Sequence, residues 1–415
     1  MTRIGIVGCG RILAAHLRGY RLLREAGVDD FCITALCARR ENDARMYVTR
    51  GIGPPQRPAV SDVSGDPLAV CDEYLSDFQQ GVDVQIYTDY QKMIAEAAID
   101  AVNDFTLHTL HHQIAAVAFS HNKHLLTQKP LAVSIAAARR MCDDAEAKEL
   151  IFGVFENARN KPATRHLGWL FNESDLCGRL QMVLLGSVGA WWAPDRIVAE
   201  TPWRHRKADA GGIALDLGVH QANTIRYIAG EITSVDARTA VLEPTRKTLN
   251  KSDQVIGQIN CDADDTFFAN FETQQGVVGN ISASWGGHGT KTLVGEGAVF
   301  YGSKGIVTGN QFTTDDGTEN DLADAYNNHC KGQQILQHFP LGITDAFALN
   351  QYDWLAAIRL RQEPETSGRE GMQDLAVAFA IHESDLAGRR VTVDEILNGD
   401  LRKFQRPLEE RFGFS

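Results

Sequence analysis

The sequence predicts two domains of different class: an α/β domain on a parallel sheet, then an α+β domain with a large, mainly antiparallel open sheet. Three observations carry this. Residues 4–12, IGIVGCGRI, join a short apolar run to a glycine turn and then a helical stretch. From there to residue 155, short apolar runs alternate with helical patterns, the signature of strands joined by crossover helices. Beyond about residue 157, segments alternate apolar and polar residues between turn signals such as Gln275-Gly276, as in an antiparallel sheet with one solvated face.

The elements follow in order. The apolar run 4–7 ends at Gly8, and 11–25 has helical spacing through Leu13, His16, Leu17, Tyr20 and Leu23. FCITALC at 31–37 reads as a buried strand, followed by a polar helical stretch at 41–50. Residues 51–82 carry Gly51, Gly53, Pro54, Pro55, Pro58, Gly65 and Pro67 and read as an excursion from the core, with one helix expected over 67–80. Strands are expected at 84–87, 101–105, 124–127 and 151–155, and helices at 88–97, 109–121 and 134–149. In the second half, strands are expected over 180–192, 232–243, 265–271, 276–285, 291–301 and 305–309, interrupted by a helix at 213–229 and closed by helices at 345–361 and 371–387. The domains are therefore drawn as 1–156, with its insertion at about 51–82, and 157–415, whose last helices pack back.

At 415 residues the chain is long enough for two or three domains of about 150 residues each. A net charge of −12 argues against nucleic acid or an anionic membrane as the main partner, because both need a basic footprint. No 18-residue apolar run and no signal-like N-terminus is present. The eight cysteines form no CxxC pair and read as free thiols in a reducing cytoplasm, with no structural zinc site.

Gly8 and Gly10 fit the first two glycines of a dinucleotide fingerprint, the first for a tight turn and the second for close approach of backbone to phosphate. Arg11 and Ile12 complete the candidate cofactor loop. The third position holds Leu13 rather than Gly or Ala. An NAD site often places a carboxylate at the end of the second strand. Here that place holds Arg39 and Arg40, which suit a 2′-phosphate and favour NADP, with NAD as the alternative.

Lys129 follows an apolar strand, at the strand end where ligands of such sheets bind, and can donate to a substrate oxygen. Asp216 and His220 lie four apart at helical spacing, on one face. His220 can take a hydroxyl proton while Asp216 orients it or contacts substrate. Gly211 and Gly212 before them suggest close approach of backbone to ligand. Trp203 and Arg204 combine an aromatic face with a charged donor, which suits a sugar ring. His108 and His111 share a helical face, but no carboxylate or cysteine partner is evident nearby, so no metal is expected.

These residues together resemble the glucose–fructose oxidoreductase/inositol dehydrogenase/MocA (Gfo/Idh/MocA) family. The resemblance rests on GIVGCGRI at 5–12, FTLHTLHHQIA at 105–115, HLLTQKPLA at 124–132, WR at 203–204 and GGIALDLGVH at 211–220. It implies a Rossmann domain followed by an α/β domain whose open sheet mediates homodimers or homotetramers. It also implies hydride transfer to or from a hydroxyl or carbonyl carbon of a sugar, glycoside or cyclitol. By the same resemblance, Thr106 lies near the nicotinamide ribose, and His111 matches the histidine that often follows it on the cofactor side. Lys129 matches the lysine of a Glu-Lys-Pro motif, and Gln128 stands where that motif has glutamate. Asp216 and His220 match its aspartate and candidate base, and Asn157 and Arg159, where the chain enters the second domain, line the substrate site. Two rival functions on the same scaffold are redox-assisted glycoside cleavage with tightly bound NAD, and a non-catalytic nucleotide-binding regulator.

Overall fold

The computed structural model describes residues 1–63, 65–189, 194–250, 252–288 and 292–414. The chain divides into two compact units, residues 1–132, 137–161 and 335–372 in one, and 133–136, 162–334 and 373–415 in the other. The stretch 335–372 thus clusters with the first unit although it lies far beyond residue 157 in sequence.

The first unit is built on β1 (Thr2–Val7), β2 (Phe31–Cys37), β3 (Gln85–Tyr87), β4 (Ala101–Asp104), β5 (His124–Gln128) and β6 (Phe152–Phe155), all parallel, in the order β3-β2-β1-β4-β5-β6. The chain order reverses at β1, between β2 and β4. In such sheets ligands bind beside the carboxyl ends of the strands at that switch point. The crossovers are α1 (Leu13–Glu25), α2 (Glu41–Arg45), α3 (Tyr90–Glu96), α4 (His108–Ser120) and α5 (Ile135–Glu146). Strand residues such as Ile4, Ile6, Ile33, Leu36, Val102 and Leu126 are completely buried, which is why these runs read as continuously apolar. A helix over Ala346–Leu360 packs on α1. There Gln351 donates to the His16 carbonyl (3.0 Å), Trp354 donates to the Leu125 carbonyl (3.1 Å), and Gly19 leaves room for Gln351.

The insertion differs from the expected helix at 67–80. It forms two short 3₁₀ turns, Pro67–Ala69 and Leu75–Asp77, separated by extended backbone with Asp72 at φ +62°. Pro67 starts the first turn, and the left-handed Asp72 breaks any continuation into the second. The helix expected at 41–50 likewise stops at Arg45, where turns begin that lead into Gly51.

The second unit contains α6 (Pro162–Asn172), β7 (Leu180–Val188), α7 (Val219–Ala229) and β8 (Ile232–Ala240). They are followed by a separate hairpin of β9 (Thr245–Leu249) and β10 (Val255–Asn260). Then come β11 (Thr266–Thr273), β12 (Val278–Ser284), β13 (Thr292–Gly302), β14 (Gly305–Thr308), β15 (Gln311–Thr314), β16 (Glu319–Asp321) and, after further helices, β17 (Val391–Thr392). The sheet has nine strands in the order β16-β15-β14-β13-β7-β12-β11-β8-β17. It is mostly antiparallel, with one parallel pair, β7 with β12, that the alternation pattern did not distinguish. Phe267, Ala269 and Phe271 of β11 are buried, while Phe268 between them is 51% exposed, so one face is open. The expected strand tails at 190–192 and 291 lie outside the described residues. Neither the β9–β10 hairpin nor α6 was expected. In α6 the helical period is interrupted by Gly168, which sits against Tyr227 of α7 and allows close packing of the two helices. Among the described residues no helix is long and apolar enough to cross a membrane.

Candidate functional site

The glycine loop leaves β1 at Val7 and enters α1 at Leu13. Gly8 has φ +102°, and a Cβ there would lie 2.7 Å from the backbone of Phe105, so only glycine fits. Gly10 is the opposite case. A Cβ there would meet nothing within 4 Å, so the space beside it is open. Among the described residues the N–H groups of Cys9 and Gly10 have no hydrogen-bond acceptor. Two unpaired amides and an open glycine, just ahead of a 13-residue helix, form a site suited to an anionic phosphate. Leu13, where the fingerprint has a third glycine or alanine, is fully buried and serves the core.

The far side of this loop is tied down. The Cys9 carbonyl accepts from Arg57 Nη1 (3.1 Å), the Gly10 carbonyl accepts from Tyr47 Oη (2.8 Å), and Arg11 Nη1 donates to the Pro58 carbonyl (2.8 Å). Arg57 also pairs with Asp43, which holds Arg40 as well (2.9 Å). Arg39 and Arg40 are both exposed just past the end of β2. Sequence reading missed Arg57 and Tyr47, because no spacing rule brings residues 47 and 57 back to residue 9.

At the ends of β4 and β5 a buried carboxylate, Asp104, accepts from the Thr106 N–H (3.0 Å), the Thr106 hydroxyl (2.6 Å) and the Thr127 hydroxyl (3.3 Å). This fixes the turn carrying Thr106. His111 is fully buried in the first turns of α4, with Nδ1 3.1 Å from the Leu131 carbonyl and Nε2 3.4 Å from the Thr106 carbonyl. It braces the Thr106 turn against the chain that follows β5. Its ring stands 6.5 Å from that of His108. Among the described residues no group of three or more His, Cys, Asp or Glu side chains is disposed to hold a metal ion.

Gln128 uses both ends of its amide. Its Oε1 accepts from the Lys129 N–H (3.2 Å), and its Nε2 donates to His16 Nε2 (2.7 Å). His16 is fully buried and stacked on Phe105 at 3.5 Å, and burial holds its pKa well below the usual imidazole range. A neutral imidazole can accept that amide proton, so the neutral glutamine and the neutral histidine are mutually consistent. Lys129 itself is half-buried at the end of β5. Asn157 opens a turn closed by the Asn160 N–H (3.1 Å). Arg159 is buried, donating to the Glu365 carbonyl (3.2 Å) and pairing with Glu370 (3.0 Å).

Asp216 and His220 belong to the second unit. The single helix expected over 213–229 begins instead as a π-helical turn, Ala214–Gly218, and becomes α-helical at Val219. Asp216 lies in the π turn and His220 at the start of α7. Asp216 is buried and paired with Arg204 (Nε–Oδ2 2.8 Å), and the Arg204 guanidinium also donates to Thr201 and lies 4.5 Å over the Trp203 ring. The close approach expected of Gly211 and Gly212 to a ligand is instead intramolecular. A Cβ on Gly211 would meet the Trp203 carbonyl at 2.3 Å. One on Gly212, at φ +122°, would meet the Asp264 carboxylate at 2.1 Å. Asp264 caps the helix start through the Ala214 N–H (3.0 Å) and faces His382 at 3.6 Å. Burial raises the Asp264 pKa and lowers that of His382, so both lean toward their neutral forms.

Comparison with known proteins gives the family. Residues 2–156 match the oxidoreductase family with an NAD-binding Rossmann fold, and residues 172–308 match the GFO/IDH/MocA C-terminal domain. The levoglucosan dehydrogenase of Pseudarthrobacter phenanthrenivorans is 27% identical over 50% of this chain and 55% of its own length, so the chain spans about half of that relative. The myo-inositol 2-dehydrogenase of Thermotoga maritima is 23% identical over 95% of this chain and 99% of its own. A levoglucosan dehydrogenase solved with NADH and levoglucosan superposes with a TM-score of 0.70, covering 94% of this chain and 98% of that one at 19% identity, which speaks to the fold. The two matched segments carry the glycine cradle and six of the nine strands of the large sheet respectively, and the chain belongs to the Gfo/Idh/MocA family of oxidoreductases.

Proposed function

We propose that the protein transfers hydride between a nicotinamide dinucleotide and a hydroxyl- or carbonyl-bearing carbon of a sugar, glycoside or cyclitol. The observation that carries this is the unpaired amides of Cys9 and the open Gly10, at the switch point of a parallel sheet whose next strands are followed by Thr106 and Lys129. Relatives named for levoglucosan and for myo-inositol support the substrate class. A bound nicotinamide supplies the hydride donor or acceptor. The chain would hold its pyrophosphate on the N–H groups of Cys9 and Gly10 and the α1 N-terminus. Arg39 and Arg40 favour the 2′-phosphate of NADP, with NAD as the alternative.

Lys129 donates to the reacting oxygen, and its main chain is steadied by Gln128. His220 exchanges the hydroxyl proton. Asp216 holds Arg204 on Trp203, so that a rigid guanidinium and an indole face present themselves to the ring and hydroxyls of the substrate. Asn157 lines the substrate side, and Arg159 ties its turn to Glu370. The working place is the cytoplasm, in keeping with eight cysteines that form no disulfide. A second copy of the chain covers the open sheet face carrying Phe268, Val278 and Met182, giving a homodimer or homotetramer.

The test is a panel of aldoses, anhydrosugars, glycosides and cyclitols with NADP and NAD in turn, followed by reduced-nicotinamide absorbance. Turnover on one class is expected, faster with NADP. Tight dinucleotide binding with no turnover on any of them would contradict the reading. A clear preference for NAD would overturn the role given to Arg39 and Arg40.

A further inference from the structure

The insertion at 51–82 is anchored on both sides of its middle, at residues 56–58 and 72–79. Gln79 satisfies both the N–H and the carbonyl of Ile33 on β2 (3.0 and 2.8 Å). Glu73 takes both guanidinium nitrogens of Arg21 on α1 (2.9 Å each). Arg50 pairs with Asp72 and Asp77 (2.7 and 2.8 Å), and Leu75 and Ser76 donate to the carbonyls of Tyr47 and Val48 (2.9 and 3.0 Å). A segment fixed at this many points places its own side chains with precision, and the one it delivers to the glycine loop is Arg57.

A trans peptide directs its C=O and N–H to opposite sides. The Cys9–Gly10 and Gly10–Arg11 peptides are both trans, since the one cis bond among the described residues is Lys129–Pro130. Arg57 on the Cys9 carbonyl therefore turns the Gly10 N–H to the opposite side, and Tyr47 on the Gly10 carbonyl does the same for the Arg11 N–H. Glycine 10 has no side chain to restrain those planes; besides the Leu13 N–H, which also donates to the Gly10 carbonyl (3.2 Å), Arg57 and Tyr47 are what hold them. Asp43, paired with Arg57, keeps the guanidinium in place.

We infer that the insertion is a built-in brace for the nucleotide loop, and that Arg57, assisted by Tyr47, is a positioning residue that aims the Gly10 and Arg11 amides at the dinucleotide pyrophosphate. This rests on the nucleotide-binding reading above. It predicts an equal effect on NADH and NADPH, because the pyrophosphate is common to both.

The test titrates NADH and NADPH separately into the full-length wild type, Arg57→Ala, Arg57→Lys and Tyr47→Phe, followed by protein fluorescence. Amide hydrogen exchange over residues 8–13 is measured on the cofactor-free proteins. Arg57→Ala is expected to raise both Kd values by about tenfold, the size of one charged hydrogen bond, with faster exchange in the loop. Tyr47→Phe is expected to raise both by about threefold, as for a neutral hydrogen bond, and Arg57→Lys to fall between wild type and Arg57→Ala. Unchanged affinity and exchange in Arg57→Ala would overturn the brace. A loss confined to NADPH would also overturn it, by marking Arg57 as a ligand of the 2′-phosphate. If Arg57→Ala does not fold, Tyr47→Phe decides alone, and unchanged affinity for both cofactors overturns the inference. Wild-type protein that binds neither dinucleotide sinks the nucleotide reading itself, a different result from a wild type that binds and an Arg57→Ala that binds equally well.

Discussion

The glycine loop of the first unit and the helix start of the second, the two places to which the proposed function assigns ligand contacts, are built by opposite means. The loop works with main-chain amides. Two of its positions, Gly8 and Gly10, have no side chain. The helix start works with side chains: Arg204, Asp216 and Trp203 form one cluster, and Asp264 caps the first turn. Glycines appear in both, with different meaning. Gly10 leaves open space, whereas Gly211 and Gly212 leave space already filled by the protein's own Trp203 carbonyl and Asp264 carboxylate. Two glycines in a sequence therefore say that something comes close, and only the structure says what.

The sharpest way to break this contrast is within the loop. Gly8→Val forces a Cβ into the Phe105 backbone at a positive φ, and is expected to cost at least about 3 kcal/mol of stability and to abolish dinucleotide binding. Gly10→Ala meets no protein atom, so its thermal midpoint is expected to stay near wild type while cofactor affinity falls. Equal stability losses in the two variants, by calorimetry, would erase the distinction between a structural and a ligand-facing glycine.

In the second unit, Asp216→Asn leaves the mostly buried Arg204 guanidinium without its counter-charge, with an expected loss of about 3 kcal/mol in chemical denaturation. Adding Arg204→Met is expected to recover part of that loss without restoring turnover. A single Asp216→Asn that denatures like wild type would show that the pair does not organise this helix start.

A smaller effect is acid sensitivity. Burial and the nearby Arg246 and Arg204 push the His205 imidazole down to about 3, and Val198 N–H donates to its Nε2 (3.1 Å). The unfolded chain takes up a proton below its ordinary value of 6.5 while the folded chain does not. Stability is therefore lost as pH falls from 6.5 toward 3, by about 1.4 kcal/mol per pH unit from this residue. The buried His16 acts in the same direction. His205→Asn is expected to flatten the fall between pH 6.5 and 5 in urea titrations. A slope identical to wild type would remove His205 from the account.

The smallest effect on the fold is expected at Phe268. Phe268→Glu on the open sheet face is expected to change stability of the single chain by less than about 0.5 kcal/mol, while light scattering shows a lower mass than wild type. Unchanged mass would move the contact between copies elsewhere.

These cases also mark what the sequence made legible. The parallel sheet was legible because its strands are buried on both faces and read as apolar runs. The glycine loop was legible because Gly8 needs a conformation that other residues avoid. The mainly antiparallel sheet was legible from alternation, but its one parallel pair was not, since alternation fixes the face of a strand and not the direction of its neighbour. His16, Arg57 and Tyr47 escaped notice because each acts on a residue distant in sequence through a single hydrogen bond, which leaves no periodic trace. The π turn at Ala214–Gly218 escaped because its composition is that of an ordinary helix.

The claim that joins both halves is a division of labour, with cofactor held by the first unit and proton exchange carried by the second. Its most direct test is His220→Ala, with NADPH binding by fluorescence titration measured beside turnover on whichever sugar or cyclitol the wild type oxidises. The account predicts wild-type cofactor affinity with turnover reduced by a factor of about 10² or more. Turnover near wild type, or affinity and turnover lost together in a folded protein, would contradict it.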